Sequence, residues 1–151
     1  MLGVMFVCHG NICRSPMAEY LFSDLVKRDG LEREFRISSS AVSREEIGSD
    51  LYPPARRVLL SHGVPCPARA ARQITAEEIG EYDRILCMDE SNLRLLSRIS
   101  PLAATKAELL GNYGLGGEAI EDPWYTGRFD CVFEEISQCC AELLRSLCCE
   151  K

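Results

Sequence analysis

The sequence predicts an α/β protein, a parallel sheet covered by helices. Strand-like and helix-like segments alternate along the chain, which is the order of βα units. An opening hydrophobic strand runs straight into a turn and a helix. At 151 residues, a chain can bury one full core without disulfides or metal. Too little chain follows the glycine-rich stretch 111–117 to form a second core, so one domain is expected over residues 1–151.

The elements follow in order. Leu2–Val7 is the first strand. Ser15 to about Arg28 is the first helix, with Met17, Leu21 and Leu25 on one face and Gly30 after its end. Ser15 is a preferred N-cap residue, and Pro16 suits the first helical position. Phe35–Ile37 begins a short second strand, and Pro54–His62 is a helix closed by Gly63. Thr75 with Glu78 forms the capping box of a short helix. Arg84–Met88 is the third strand, Asn92–Ile99 a helix that Pro101 terminates, and Ala107–Leu110 the fourth strand. Phe129–Cys149 is a long amphipathic helix whose stripe runs Val132, Phe133, Ile136, Cys140, Leu143 and Leu147.

The junction of the first strand and first helix concentrates the chemistry. It reads Cys8-His9-Gly10-Asn11-Ile12-Cys13-Arg14-Ser15-Pro16. Gly10 and Asn11 let the chain curl with positive φ. A helix N-terminus beyond such a curl presents inward amides, an anion site before any side chain contributes. Arg14 adds a planar fork for two oxyanion oxygens, and Cys8 lies where the anion's central atom would sit. Residues His9 to Arg14 are therefore the expected phosphate cradle, with the Cys8 thiolate at its base.

Spacing alone does not single out this loop, because Cys-x5-Arg recurs at Cys66/Arg72 and Cys139/Arg145. Cys139 and Arg145 lie in a helical run without glycine, about 9 Å apart along the axis. Cys66 is followed by proline and has no strand before it. Only Cys8 combines strand, glycine turn and helix start.

Composition removes several function classes. The net charge of −6 offers no basic patch for nucleic acid. No run reaches the roughly 18 apolar residues that span a bilayer, and no opening stretch resembles a signal peptide. Nine cysteines are an odd number without a Cys-x2-Cys pair, which reads as buried fillers in a reducing cytosol, not a disulfide framework or zinc site. A cytoplasmic protein without metal or membrane partner is expected.

In an open parallel sheet, ligands bind beyond the carboxyl ends of the strands. A second loop entering that region carries Glu121-Asp122-Pro123-Trp124-Tyr125. Displacing an alcohol or phenol from phosphorus calls for an acid to protonate the leaving oxygen. Asp122 is the candidate, since Pro123 stiffens the loop and Trp124 and Tyr125 could wall a slot for a flat substrate. Read from these residues alone, Asp-Pro is equally a simple turn and the aromatics partly buried packing, with that plainer reading ahead.

The loop Cys8 to Glu19 resembles the signature of the low-molecular-weight protein tyrosine phosphatases. The similarity continues through Ser39–Ser43, Glu46–Gly48, Ala71–Thr75, Cys87–Asn92 and Asp122–Tyr125, in the family's order over nearly the whole chain. It implies the family's phosphotyrosine phosphatase I-like, Rossmann-like fold: four parallel strands in order 2-1-3-4 flanked by helices. By the same resemblance Cys8 is the nucleophile that forms a phosphocysteine, and Arg14 binds the phosphoryl oxygens. Ser15 stabilises the Cys8 thiolate, and Asn11 holds the strained turn with support from Ser39. Asp122 donates a proton to the leaving phenol and then takes one from water. Phosphotyrosyl proteins or small aryl phosphates are the implied substrates, inorganic phosphate the product, and no cofactor or metal is implied. Cys13, in the same curled loop, is implied as the thiol that captures oxidised Cys8.

Several positions depart from the family's pattern. His9 follows the nucleophile where an apolar residue is common, and Glu45 beside Glu46 takes the place of a rim aromatic. Arg69 stands where many members have histidine and is expected to pair with Glu19. The pocket rim is thus Ile12, Glu45, Glu46, Trp124 and Tyr125. Protein arginine phosphatases of the same fold are an alternative, differing by a threonine at the position of Ile12. Arsenate reductases need resolving cysteines on a mobile segment and carry glutamine where Pro16 stands. A non-catalytic phosphate-binding module would be expected to lack Cys8, Arg14 or Asp122, and all three are present.

Overall fold

A computed structural model describes residues 1–149; the last two residues of the expected 1–151 domain lie outside the described residues. Four parallel strands form one sheet: β1 (Leu2–Cys8), β2 (Phe35–Ala41), β3 (Arg84–Cys87) and β4 (Ala107–Leu109), in the order β2-β1-β3-β4. That order is the expected 2-1-3-4. Central β1 is buried from Gly3 to Cys8, as a parallel strand covered on both faces must be.

The alternation of β1 divides the core. Val4, Phe6 and Cys8 face helices α1 (Arg14–Arg28), α2 (Pro53–Ser61) and α7 (Phe129–Cys149), packing on Met17, Phe22, Leu59 and Ile136. Met5 and Val7 face the other way, onto Ile79 of α3 (Ala76–Glu81) and Leu96 of α4 (Glu90–Ile99). The expected stripe of α7 is the buried one, including Val132, Phe133, Ile136, Cys140, Leu143 and Leu147. Thr75 and Glu78 make their reciprocal capping box at the start of α3.

Register sets the position of the site. Val7 lies opposite both Ser40 of β2 and Cys87 of β3. The carboxyl ends of three strands therefore arrive together, and the loops that leave them surround Cys8.

Local details differ from the sequence reading. Helix α1 starts at Arg14, one residue before Ser15, with Cys13 as its N-cap and no side-chain capping bond. Pro16 then occupies the third helical position, which costs nothing because the first-turn amides have no helical acceptor. Only Asn11 of the loop adopts positive φ, at 59°; Gly10 does not. Strand β2 continues to Ala41 because Ser39 and Ser40, although polar and buried, are hydrogen-bonded inside the fold. Two short helices, α5 (Ala103–Lys106) and α6 (Pro123–Thr126), stand where no helix is predicted from the sequence. Each has only four residues, too few to display a periodicity.

Candidate active site

The loop after β1 closes around one atom. Asn11 N–H donates to Cys8 Sγ at 3.3 Å, and Ser15 Oγ lies 3.0 Å from the same sulfur. Ser15 is thus not a helix cap: its hydroxyl is engaged by the thiol and by Asn11 Nδ2, which donates to it at 2.8 Å. Asn11 Nδ2 also donates to Ser39 Oγ at 3.0 Å, and Ser39 donates to Glu19 Oε1 at 2.5 Å. Asn11, Ser15 and Ser39 are buried behind the loop. Of the expected phosphate cradle, Asn11 is therefore turned away from the opening, with its amide hydrogen directed at the sulfur.

One open cavity gathers the rest. The loop lines it with Cys8, His9, Gly10, Ile12, Cys13 and Arg14. Glu45 and Glu46 line it from the segment after β2, and Asp122, Trp124 and Tyr125 from the start of α6. Every rim residue expected from the sequence therefore borders this opening. His9 Nε2 and Glu45 Oε2 meet at 2.9 Å, joining the loop to the segment after β2.

Arg14 is almost entirely buried and held from behind. Its Nη1 donates to Asp89 Oδ2 at 2.7 Å and to the Ile120 carbonyl at 2.8 Å. Both hydrogens of that nitrogen are then used, which leaves Nε and Nη2 as the donors that could receive an oxyanion, Nη2 standing within an ion pair's reach of Asp122. Burial works against the cation, but Cys8, Asp89 and Asp122 outweigh it and raise the pKa of Arg14. It stays charged.

Asp122 caps a turn and also borders the cavity. It N-caps α6, Oδ1 accepting from Trp124 N–H at 3.1 Å, and its Oδ2 stands 3.6 Å from Arg14 Nη2, within an ion pair's reach. Trp124 and Tyr125 are 49% and 84% exposed, so they are rim residues and not core packing. Burial pushes the Cys13 thiol up strongly, with Cys8 and Asp122 adding to it. Cys13 rests as a neutral thiol.

Three contributors escape the sequence reading. Asp89 positions Arg14 from 75 residues away. Tyr52 packs its ring 4.6 Å from that of Trp124 and donates its backbone N–H to the Ile12 carbonyl. Arg69 makes no direct ion pair with Glu19, although the two charges still interact; it directs both terminal nitrogens to Asn11, at the backbone carbonyl (2.6 Å) and at Oδ1. A nucleophile in an anion cradle, a fixed cation and a carboxyl opposite can together displace an oxygen leaving group from phosphorus.

Comparison with known proteins points the same way. The family model described as low molecular weight phosphotyrosine protein phosphatase matches residues 3–151. A relative of that name from Homo sapiens is 43% identical over 147 residues, 93% of this chain and 92% of its own. The crystal structure of YfkJ from Bacillus subtilis superposes with a TM-score of 0.94 at 34% identity, covering 100% of this chain and 97% of the other. That of a Drosophila arginine phosphatase superposes with a TM-score of 0.85 at 31% identity, covering 95% and 96%.

Proposed function

This chain belongs to the low molecular weight phosphotyrosine protein phosphatases, and from that premise we propose that it hydrolyses phosphotyrosine in proteins through a phosphocysteine on Cys8. The observation that carries the reading is the shared cavity, which Cys8, Arg14 and Asp122 line together.

In the first step the Cys8 thiolate attacks phosphorus and the bond to the phenolic oxygen breaks. Asp122 gives its proton to that oxygen, so a phenol departs instead of a phenolate. Charge on the equatorial oxygens meets the loop amides and Arg14, which are in place before reaction. In the second step Asp122, now a carboxylate, takes a proton from water. That water attacks phosphorus, the sulfur–phosphorus bond breaks, and inorganic phosphate leaves. Ser15, at 3.0 Å from the sulfur, steadies the thiolate each time it forms. These steps use protein groups alone.

Substrate choice rests on the rim. Ile12 offers an apolar β-branched surface to a phenol ring and nothing polar to a guanidinium, which favours phosphotyrosine over phosphoarginine. Trp124 and Tyr125 would flank the ring, and Glu45 with Glu46 would disfavour acidic flanking sequence. The free thiols suit a reducing compartment, and a cytoplasmic location is part of the proposal, as is one catalytic domain over residues 1–151. No helix of the described residues is long and apolar enough to cross a membrane.

A hydrolysis panel tests the reading: p-nitrophenyl phosphate, phosphotyrosine, phosphoserine and phosphoarginine peptides, and arsenate with thioredoxin. Aryl phosphate and phosphotyrosine should be turned over, and Cys8→Ser should abolish turnover while retaining phosphate binding. Dominant phosphoarginine hydrolysis, arsenate reduction, or substantial activity in Cys8→Ser would overturn it.

A further inference from the structure

Arg69 sits outside the cavity, yet its side chain ends on the residue that shapes the cradle. Its two terminal nitrogens fork onto Asn11, one at the backbone carbonyl (2.6 Å) and one at Oδ1. The backbone N–H of Arg72 adds a second donor to Oδ1 at 3.3 Å. The segment bearing Arg69 is itself tied down. Asp50 accepts from the Arg69 backbone N–H at 3.2 Å and from Arg56 at 2.9 and 3.1 Å, and Arg56 also donates to the Cys66 and Pro67 carbonyls.

A side-chain amide has an oxygen that accepts and a nitrogen that donates, and its partners decide which way round it stands. With two donor groups gathered at Oδ1, the Asn11 Nδ2 must point the other way, at Ser15 and Ser39. The consequence passes to the next group. Ser15 Oγ receives a hydrogen from Asn11, so its own hydroxyl proton is left for another acceptor. Two are within reach: Cys8 Sγ at 3.0 Å and the Ser40 carbonyl at 3.4 Å. The sulfur is nearer, and as a thiolate it is the stronger acceptor.

We propose that Arg69 is a positioning residue: its fork on Asn11 fixes the direction of the hydrogen-bond chain, so that Ser15 donates its proton to the Cys8 thiolate. This rests on the reading of Cys8 as the nucleophile. Asn11 also holds the one positive φ among the non-glycine residues described, so the same fork braces the strained turn from both its backbone and its side chain. Without the fork the amide can turn over, Ser15 can become the donor toward Asn11, and the sulfur loses a partner.

Charge and direction are separated by substitution. Arg69→Lys keeps a cation but cannot fork; Arg69→Met removes both. The readout is the pH dependence of Cys8 alkylation by iodoacetamide, an uncharged reagent whose rate follows the thiolate fraction and needs no turnover. The titratable or charged groups around Cys8 are Arg14, Arg69, Asp122, Cys13 and Cys87, with His9, Glu45 and Glu46 lining the same cavity, and those facing Arg69 are Glu19, Tyr20 and Asp50. Apart from Arg69 itself, none of them is altered in the lysine variant.

Arg69→Lys should move the alkylation profile to higher pH, leaving about three- to tenfold less thiolate below the midpoint, the span of one hydrogen bond. In a Ser15→Ala background the same substitution should leave the profile unmoved. Arg69→Met should shift it at least as far, and thermal melts identify any variant that is not folded. An unmoved profile in folded Arg69→Lys, or an equal shift in both backgrounds, overturns the proposal. Because alkylation does not depend on hydrolysis, a chain that fails the substrate panel can still pass this test, and the reverse.

Discussion

Asp89→Asn tests how Arg14, the proposed phosphate-binding arginine, is held. Asp89 makes two bonds with two oxygens: Oδ2 accepts from Arg14 Nη1 at 2.7 Å, and Oδ1 accepts from the Asn92 N–H at 2.9 Å at the start of α4. Asparagine keeps one oxygen. Whichever bond survives, an amide NH2 faces a donor in the other. The Arg14 side chain is 3% exposed, so water does not replace a lost partner. A buried donor left unsatisfied costs about 1–3 kcal/mol, and breaking a buried ion pair from one side about 3–5 kcal/mol. Asp89 itself is 27% exposed and the Ile120 carbonyl still holds Nη1, which brings the loss to about 2 kcal/mol. At 1.36 kcal/mol per tenfold in rate, that is about 30-fold in kcat/KM. The assay is kcat/KM for p-nitrophenyl phosphate with inhibition by inorganic phosphate, beside urea unfolding. Both kinetic quantities should weaken together. If they stay within twofold of the parent while only stability falls, Asp89 is a helix cap and no support for Arg14.

Asp122→Ala should slow an unactivated aryl phosphate more than an activated nitrophenyl phosphate, since a good leaving group needs less protonation; equal losses would leave Asp122 only its helix cap. Ile12→Thr should raise the phosphoarginine-to-phosphotyrosine activity ratio, and a ratio unmoved by the substitution would remove Ile12 from specificity. Mild peroxide should convert Cys8 to a sulfenic acid, and the Cys13 thiol should displace water from it to form a disulfide that a dithiol reopens. Oxidation also removes the Cys8 anion that helps hold the Cys13 proton. Cys13→Ser should leave a larger fraction permanently inactive, and full recovery with no Cys8–Cys13 bridge in peptide maps would end that role. Burial pushes the thiols of Cys13, Cys87, Cys139 and Cys140 above their ordinary 9.0. Unfolded, they lose protons that the folded chain keeps, so this stability is whole below pH 9 and falls as pH rises beyond it. The slope is about 1.4 kcal/mol per pH unit for each thiol, about 5 for the four. Urea midpoints from pH 8 to 11 should show it, and Cys140→Ala should flatten the slope by about a quarter; an unchanged slope would refute the assignment.

What could be read from the sequence divides along the range of the interactions. The α7 stripe, the Thr75 capping box and the strand order depend on periodicity, neighbours three residues apart, or the family resemblance, and all appear in the structure. Ser15 shows where local rules give way. Its residue type and the following proline say N-cap, but the cap would use the oxygen that Asn11 and Cys8 engage, so the helix begins a residue earlier without a side-chain cap. Asp122 could not be resolved between a turn residue and a cavity residue because one oxygen caps α6 and the other faces Arg14. Asp89 and Arg69 were out of reach for a different reason. Each meets the cradle only because parallel register brings Cys87 beside Val7 and Ala41 beside Cys8, which puts the loops that follow at the same sheet end. The expectation for Arg69 took the nearest sensible anion, Glu19, as partner. A guanidinium instead follows its planar fork, and the two oxygens arrayed to receive it belong to Asn11. Charge can be read from a sequence; the direction in which a hydrogen bond points depends on the partners that the fold assembles around it.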